Sequence, residues 1–410
     1  MDGAGSITEF PQMSYYNPNR FLLTLVGQWP NSKGFTNFLK RAYVNFIVSS
    51  FIVPEAAKLV SSGYDLNVTL DLLPMTLMTI LVPINASFIY TIYLSVDNKT
   101  SSLTHVAQLE RLLKCIKEDW MMERTEEETR IKESFASLSY KFTTIVILFS
   151  SAAIAAYLPV AFFLSQILDF FIPLNETRPR MFAIDLEFFI DKQENFYIIS
   201  CYCFLGFTTG VIFFIANQTM FLCFMLHIYG MFAVLGYRLE NSMSRGMNIT
   251  RSNDPDLASM DHYKSIVLCI KRHQRAIKFA KEMEYFYAPF SLTFLITSVL
   301  MLSPTLVLIA DKNLQYRVVL QAFYIIIFLF GFSYMGQLLI NMSTSVHDKA
   351  YCSNWEYCSP AVRKLLLLMI KQSERPCTIS AYKLYVASLD CFRMVMQTVL
   401  SYFMVLQQFH

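Results

Sequence analysis

The chain has 410 residues, of which 54% are hydrophobic and only 16% charged, and its mean hydropathy is +0.39. A soluble domain of this length would need more charge to cover its surface, so the composition excludes one and points to a membrane protein with several spans. The net charge of +3 is small and spread along the chain, which gives no basis for a nucleic-acid or acidic-substrate partner.

The N-terminal arm holds the apolar run Phe21–Val26, which is too short for a signal peptide and ends in GQWPNS, so no cleaved leader is expected. Seven apolar stretches follow: Ala42–Leu59, Leu70–Leu94, Phe142–Phe163, Phe196–Leu226, Phe286–Ile309, Val318–Leu339 and Tyr385–Leu406. Lipid leaves no partner for an open strand's backbone, so all seven are expected to be transmembrane helices and the fold an all-α membrane protein.

The connections differ in charge. The arm and the second, fourth and sixth connections carry 27 Lys and Arg residues, whereas the first, third and fifth carry five. By the positive-inside rule the N-terminus is cytoplasmic, and seven spans then put the C-terminus outside. Two glycosylation sequons, at Asn67 and Asn175, fall in loops that this topology places outside. A G-protein-coupled receptor has the opposite orientation, and its NPxxY and DRY-like motifs are missing here.

Some cytoplasmic segments have helical periodicity. Ile266, Ile270, His273, Ile277, Ala280 and Glu284 keep one face from Asp261 into the fifth span, so that helix should continue below the membrane. Pro360–Lys371 is too short to cross and reads as a packed cytosolic helix with a basic flank. In the second connection Glu118, Asp119 and Glu126–Glu128 alternate with Arg124, Arg130 and Lys132, a pattern read as a solvated helix face. A single membrane domain on a cytoplasmic helical base is the simplest organisation.

Signatures of catalysis are missing: there is no GxxxxGK[ST], HExxH or GxSxG, and the six histidines are scattered. No enzyme activity, metal or cofactor is expected. Nine cysteines without a CxxC argue against a zinc site or a disulfide framework. The outer halves of spans two, three, four and six are rich in aromatic, Met and small residues: Met75, Met78, Thr79, Ser150, Ala153, Tyr157, Cys201, Phe204, Leu205, Phe323 and Tyr324. Such a lining suits an apolar small molecule held by shape, and it equally suits ordinary helix packing.

The last stretch has two faces. At 100° per residue Asp390, Met394, Gln397, Ser401, Val405 and Gln408 share one side, and Phe392, Val395, Met396, Val399, Phe403 and Leu406 the other. Lipid does not reward a polar face, so this one should meet water, another subunit or the protein interior. A pore lining and a bundle contact both satisfy that. Asp390 and Arg393, at i, i+3, can pair near the cytoplasmic end. Val405, apolar on an otherwise polar stripe, is what a dewetting gate requires.

The chain resembles the insect odorant receptors. The resemblance rests on Ser401-Tyr402, five residues, then Gln408-Phe409, a variant of that superfamily's Thr-Tyr…Gln-Phe ending, with Ser in place of Thr. Further matches are the run from Gly331 to Trp355, Ser388–Phe392, and HQRAIKFAKEMEYFY from His273. The resemblance implies an odorant-gated, non-selective cation channel that needs no G protein. It implies a tetramer with the shared co-receptor, joined through a cytoplasmic anchor, with the last helices lining one pore. On this chain the implied gate is Val405, with Gln408 beside it and Ser401 and Gln397 below. Tyr157 becomes the leading candidate in the ligand pocket, and the ligand is a small volatile organic molecule. The short loop around Arg238–His262 lacks the co-receptor's insertion and so resembles that of a tuning subunit. The implied divisions are an arm (1–41), a six-span region with the pocket (42–339), an anchor segment (340–384), and a pore helix with its tail (385–410). The implied location is the plasma membrane of an olfactory neuron, in contact with lipid. A gustatory-type channel and a membrane transporter remain the alternatives.

Overall fold

The computed structural model describes residues 11–30, 34–65, 105–171, 186–247, 255–310, 316–353 and 358–408, together with residues 180, 182, 355 and scattered positions between 68 and 83. A 3-10 turn, Pro11–Tyr16, leads into α1 (Asn17–Leu25), α2 (Gly34–Ser49) and α3 (Ile52–Ser61). Then come α4 (His105–Trp120), α5 (Glu126–Phe171), α6 (Phe196–Met247), α7 (Pro255–Ala310) and α8 (Tyr316–Tyr351). The chain ends with α9 (Pro360–Ser373), a hairpin of β1 (Ser380–Ala381) and β2 (Tyr385–Val386), and α10 (Leu389–Gln407). Among the described residues six helical stretches, the first of them α2 and α3 taken together, are long and apolar enough to cross a membrane. The remaining expected span, Leu70–Leu94, lies largely outside the described residues.

Helices α5, α6 and α7 have 46, 52 and 56 residues. At 1.5 Å per residue they run about 70–85 Å, more than twice the ~30 Å hydrocarbon core, so each continues as a cytoplasmic column. The periodicity from Asp261 into the fifth span is therefore a single helix, α7, and Pro360–Lys371 is α9, which buries Val362, Leu366 and Met369. A capping box starts α5: Glu128 N–H donates to Thr125 Oγ1 and Thr125 N–H to Glu128 Oε2, both at 3.4 Å.

The core lies where α6, α7 and α8 meet. Phe221 is edge-on to Tyr287 at 5.0 Å and stacked on Phe332 at 5.1 Å, and Phe224 is edge-on to Phe279 at 6.0 Å. Tyr229 OH donates to the Met335 carbonyl at 2.5 Å. Lipid supplies little hydrophobic drive between spans, so such interdigitation and buried hydrogen bonds hold them. Gly206 admits the Phe51 ring, with which a Cβ would collide; that ring also stacks on Tyr202 at 4.4 Å.

Four expectations need correction. The first span is two helices joined at Ser50-Phe51, where Ser50 Oγ meets Tyr202 OH at 2.6 Å. The last span begins at Leu389, because Tyr385 and Val386 are spent on the hairpin. Asp390 and Arg393 are both exposed and make no ion pair with one another among the described residues. The charged stretch from Glu118 to Lys132 is only partly a solvated face: Glu118, Glu126, Glu127 and Arg130 are exposed, with Arg130–Glu127 paired at 2.6 Å, but Asp119, Glu128 and Lys132 are buried.

Asp119 bonds Lys132, pairs with Arg124 at 3.1 Å, and faces His227 Nε2 at 3.5 Å. Trp120 stacks under Lys132 at 4.3 Å, and its indole N–H donates to Tyr16 OH at 3.1 Å. Burial alone would raise the Asp119 carboxyl, but Lys132, His227 and Arg124 outweigh it and hold it at about 2. Since this folded value lies below that of the unfolded chain, the contribution is present at neutral pH and disappears as pH falls through about 4 towards 2. Asp119→Asn leaves Lys132 and Arg124 buried without their counter-charge and should cost about 3–5 kcal/mol, against less than about 0.5 for Glu127→Gln. Thermal unfolding of the detergent-solubilised chain measures both.

Candidate functional site

The geometry of α10 follows from the contacts at its base. Ser388, extended at the N-cap, accepts from Cys391 N–H at 3.2 Å, and Asp390 in the first turn suits the positive end of the helix dipole. Just before the cap, Ala387 lies against Gly336 of α8 so closely that a Cβ there would collide with the Ala387 carbonyl. Tyr385 OH and Ser333 Oγ bond at 2.9 Å, Cys377 N–H donates to Ser343 Oγ at 3.0 Å, and Ser380 Oγ donates to Glu284. The hairpin turns through Tyr382 and Lys383, both at positive φ. Together these contacts fix the rotation of α10 about its own axis.

That rotation separates the two faces. Val395 and Val399 are buried, and Phe392, Met396, Phe403 and Leu406 are partly so, against α7 and α8. Asp390, Met394, Gln397, Ser401, Val405 and Gln408 are all exposed. Over its apolar window α10 is only 11% buried, against 44% for α7, so one side of this helix has no neighbour among the described residues. Ser401 Oγ donates back to the Gln397 carbonyl at 3.0 Å, which satisfies the hydroxyl without a second helix.

The pocket residues are less uniform. Thr79 is buried, its hydroxyl 2.9 Å from both Glu55 Oε2 and the Thr76 carbonyl. Met75 is half-buried and packs on the cluster of Phe51, Leu72, Leu186, Ile199 and Cys203. Phe204 is half-buried and edge-on to Phe162 at 6.4 Å, and Ser150 is half-buried. Cys201, Leu205, Phe323 and Tyr324 are exposed. Met78, the side chains of Ala153 and Tyr157, and the sequons at Asn67 and Asn175 lie outside the described residues.

Sequence reasoning missed Glu55. It is only 1% exposed, within the first span, and its Oε1 has no hydrogen-bond partner among the described residues. The available signal was a lone carboxylate in an apolar stretch, which lipid makes costly. Its hydrogen bond to Thr79 joins the first and second spans beside the Ser50–Tyr202 contact.

The fold is that of an all-α, multi-span membrane protein whose last helix is left bare on one polar side. The family model described as 7tm Odorant receptor matches residues 84–400, and the chain belongs to that family; it is not an enzyme. The chain is 29% identical over 186 residues to Odorant receptor 49a of Drosophila melanogaster, covering 42% of this chain and 43% of that one. It is 29% identical over 143 residues to the Odorant receptor coreceptor of Anopheles gambiae, covering 34% and 30%. These matches thus span less than half the length of either relative. Its fold is similar to that of the insect olfactory receptor OR5 from Machilis hrabei in complex with eugenol, with a TM-score of 0.75, 15% identity, and coverage of 97% of this chain and 99% of that one.

The separation of faces predicts chemical accessibility. Where copies of α10 enclose water in the assembled, membrane-inserted channel, cysteines placed at Gln397, Ser401 and Val405 should react with a water-soluble thiol reagent, and one placed at Val399 should not. Equal labelling of Val399→Cys and Ser401→Cys would show that α10 is rotated from this register.

Proposed function

We propose that this chain is the odorant-tuning subunit of a ligand-gated, non-selective cation channel in the plasma membrane. A small volatile ligand binds in the outer half of the helix bundle, and the last helices of a tetramer formed with the co-receptor surround one pore. The observation that carries this reading is the exposed stripe from Asp390 to Gln408 on a helix whose opposite face is packed. A polar face bare within the chain is satisfied when copies of α10 enclose water around a shared axis. Val405 is the apolar ring that closes the axis by dewetting, Gln408 lies just outside it, and Ser401 and Gln397 line the path below.

Met75, Met78, Thr79, Ser150, Ala153, Tyr157, Cys201, Phe204, Leu205, Phe323 and Tyr324 form the ligand pocket, with Tyr157 the principal aromatic wall. The mixture of Met, aromatic and hydroxyl side chains recognises shape with a few polar contacts. The similar receptor from Machilis hrabei is in complex with eugenol, which supports a small organic ligand of comparable kind. The co-receptor relatives support assembly with such a partner. Residues 340–384 supply the anchor that joins subunits, and coupling from pocket to gate passes through the Gly336–Ala387 contact, because α8 carries both pocket residues and the base of α10.

Whole-cell recording of the chain co-expressed with a co-receptor should give ligand-evoked cation current that persists when nucleotide exchange on G proteins is blocked; loss of the current under that block would refute the channel reading. Val405→Lys should raise constitutive current or reduce cation selectivity, since a ring of ammonium groups wets the gate and repels cations. Tyr157→Ala and Phe204→Ala should reorder ligand potencies by roughly 10-fold or more at unchanged surface expression, the order of about 1.4 kcal/mol of lost contact.

A further inference from the structure

The cytoplasmic base holds a cavity that the proposed channel function does not use. Its wall includes Asp119, Arg124, Lys132, Gly230, Arg272 and Arg275, from α4, the turn after it, α5, α6 and α7. Its free space accommodates about one water-sized occupant. Four of these six residues are cationic and one is a carboxylate, and that carboxylate is already engaged by Lys132 and Arg124. Neighbouring Glu128 is paired with Arg238, and Glu118 reaches Arg275 only at 4.0 Å. The Glu123 side chain is exposed, and its carbonyl, not its carboxylate, accepts from Arg272 at 2.8 Å.

The cluster thus sets five cations, Arg124, Lys132, Arg238, Arg272 and Arg275, against the three carboxylates Glu118, Asp119 and Glu128. Burial pushes Lys132 down to about 7, so it is about half charged at neutral pH, and the carbonyl end of α4 supplies roughly half a negative charge; about one positive charge is left without compensation. Two donors in the cavity wall are also unused: the Nε of Arg124 and the Nε of Arg272 are buried with no hydrogen-bond partner. Among the described residues no carboxylate is within ion-pair distance of Arg272. Arg124 is paired with Asp119 and Arg272 is half-buried, but a buried Nε–H left without an acceptor is costly on either.

We infer that this cavity binds a small inorganic anion of the chloride class, held by Arg124 and Arg272 with Lys132 and Arg275 around it. Depth and size select the occupant. Lys132 lies ten residues before Phe142, and Arg272 fourteen before Phe286, where the apolar stretches of their helices begin. At 1.5 Å per residue the site is about 15–20 Å below the bilayer, out of reach of a lipid headgroup. A cavity with room for one water-sized body admits a halide and is too small for a tetrahedral oxyanion. The anion would tie α4, α5 and α7 together at the base, so it acts on stability and does not depend on the channel reading.

The test is thermal unfolding of the purified full chain in sodium chloride, sodium gluconate and sodium phosphate at matched ionic strength. Chloride should raise the melting temperature saturably by about 2–4 °C, with no saturable response to gluconate or phosphate. Arg272→Gln should lose the chloride response and in gluconate melt no lower than wild type, because it removes an uncompensated charge. Where that variant fails to accumulate, Arg275→Gln should still fold and shift the chloride midpoint upward several-fold. A wild type that ignores chloride, an Arg272→Gln chain that keeps the saturable response, an Arg275→Gln chain with an unchanged midpoint, or saturation by phosphate alone would each overturn the assignment.

Discussion

The close approach of Ala387 to Gly336 is the contact on which the rest of this structure depends. It lets the hairpin lie directly on α8, with Tyr385 bonded to Ser333 and Ser388 capping α10 immediately afterwards. A helix held at one end by backbone contact and by two buried valines has its rotation decided there. Every residue beyond Leu389 then inherits its facing from that base, which is why a stripe extending to Gln408 can be bare while the opposite side is packed. A side chain at position 336 would move the hairpin outward and turn the whole face with it.

The base can impose this geometry because it is built by forces unavailable in the bilayer. Below the membrane, α4 to α9 are surrounded by water, and burying Leu112, Leu113, Ile116, Leu235, Val362 and Leu366 draws on the hydrophobic effect. In the spans that term is nearly absent, and small residues, aromatic packing and hydroxyl bonds such as Ser50–Tyr202 and Thr79–Glu55 hold the helices. The cytoplasmic column and the spans are thus held by different forces.

The contrast between Asp119 and Arg130 shows where reading from sequence ran out. Both lie in one run of alternating charge, and composition treats them alike. Arg130 and Glu127 face water, as the pattern suggested, but Asp119, Lys132, Arg124 and Glu128 are turned inward against Trp120, His227 and Arg238. Asp119, Arg124 and Lys132 pair locally, but the cover over them, His227 and Arg238, comes from α6 about a hundred residues away, so local pattern alone does not reveal the burial. The aromatic and Met residues of the outer halves pose the same difficulty: Thr79 and Phe204 are packed inside the chain while Phe323 and Leu205 are exposed, although all four have the composition of a pocket wall.

By itself the sequence determined the number and polarity of the apolar stretches, the helical continuation below the membrane, and the two faces of Ser388–Gln408, because these depend only on spacing and composition along one segment. The Ser401-Tyr402…Gln408-Phe409 ending also carried the odorant-receptor resemblance, in agreement with the family match over residues 84–400. Only the tertiary structure decided that the polar face is the unpacked one, that the last helix starts after a hairpin, and that Asp119, Glu128 and Lys132 are interior. Each of those follows from contacts between segments distant in the chain, such as Gly336 with Ala387 and Asp119 with His227. Periodicity tells how residues are arranged around one helix axis, whereas burial is settled by what packs against it.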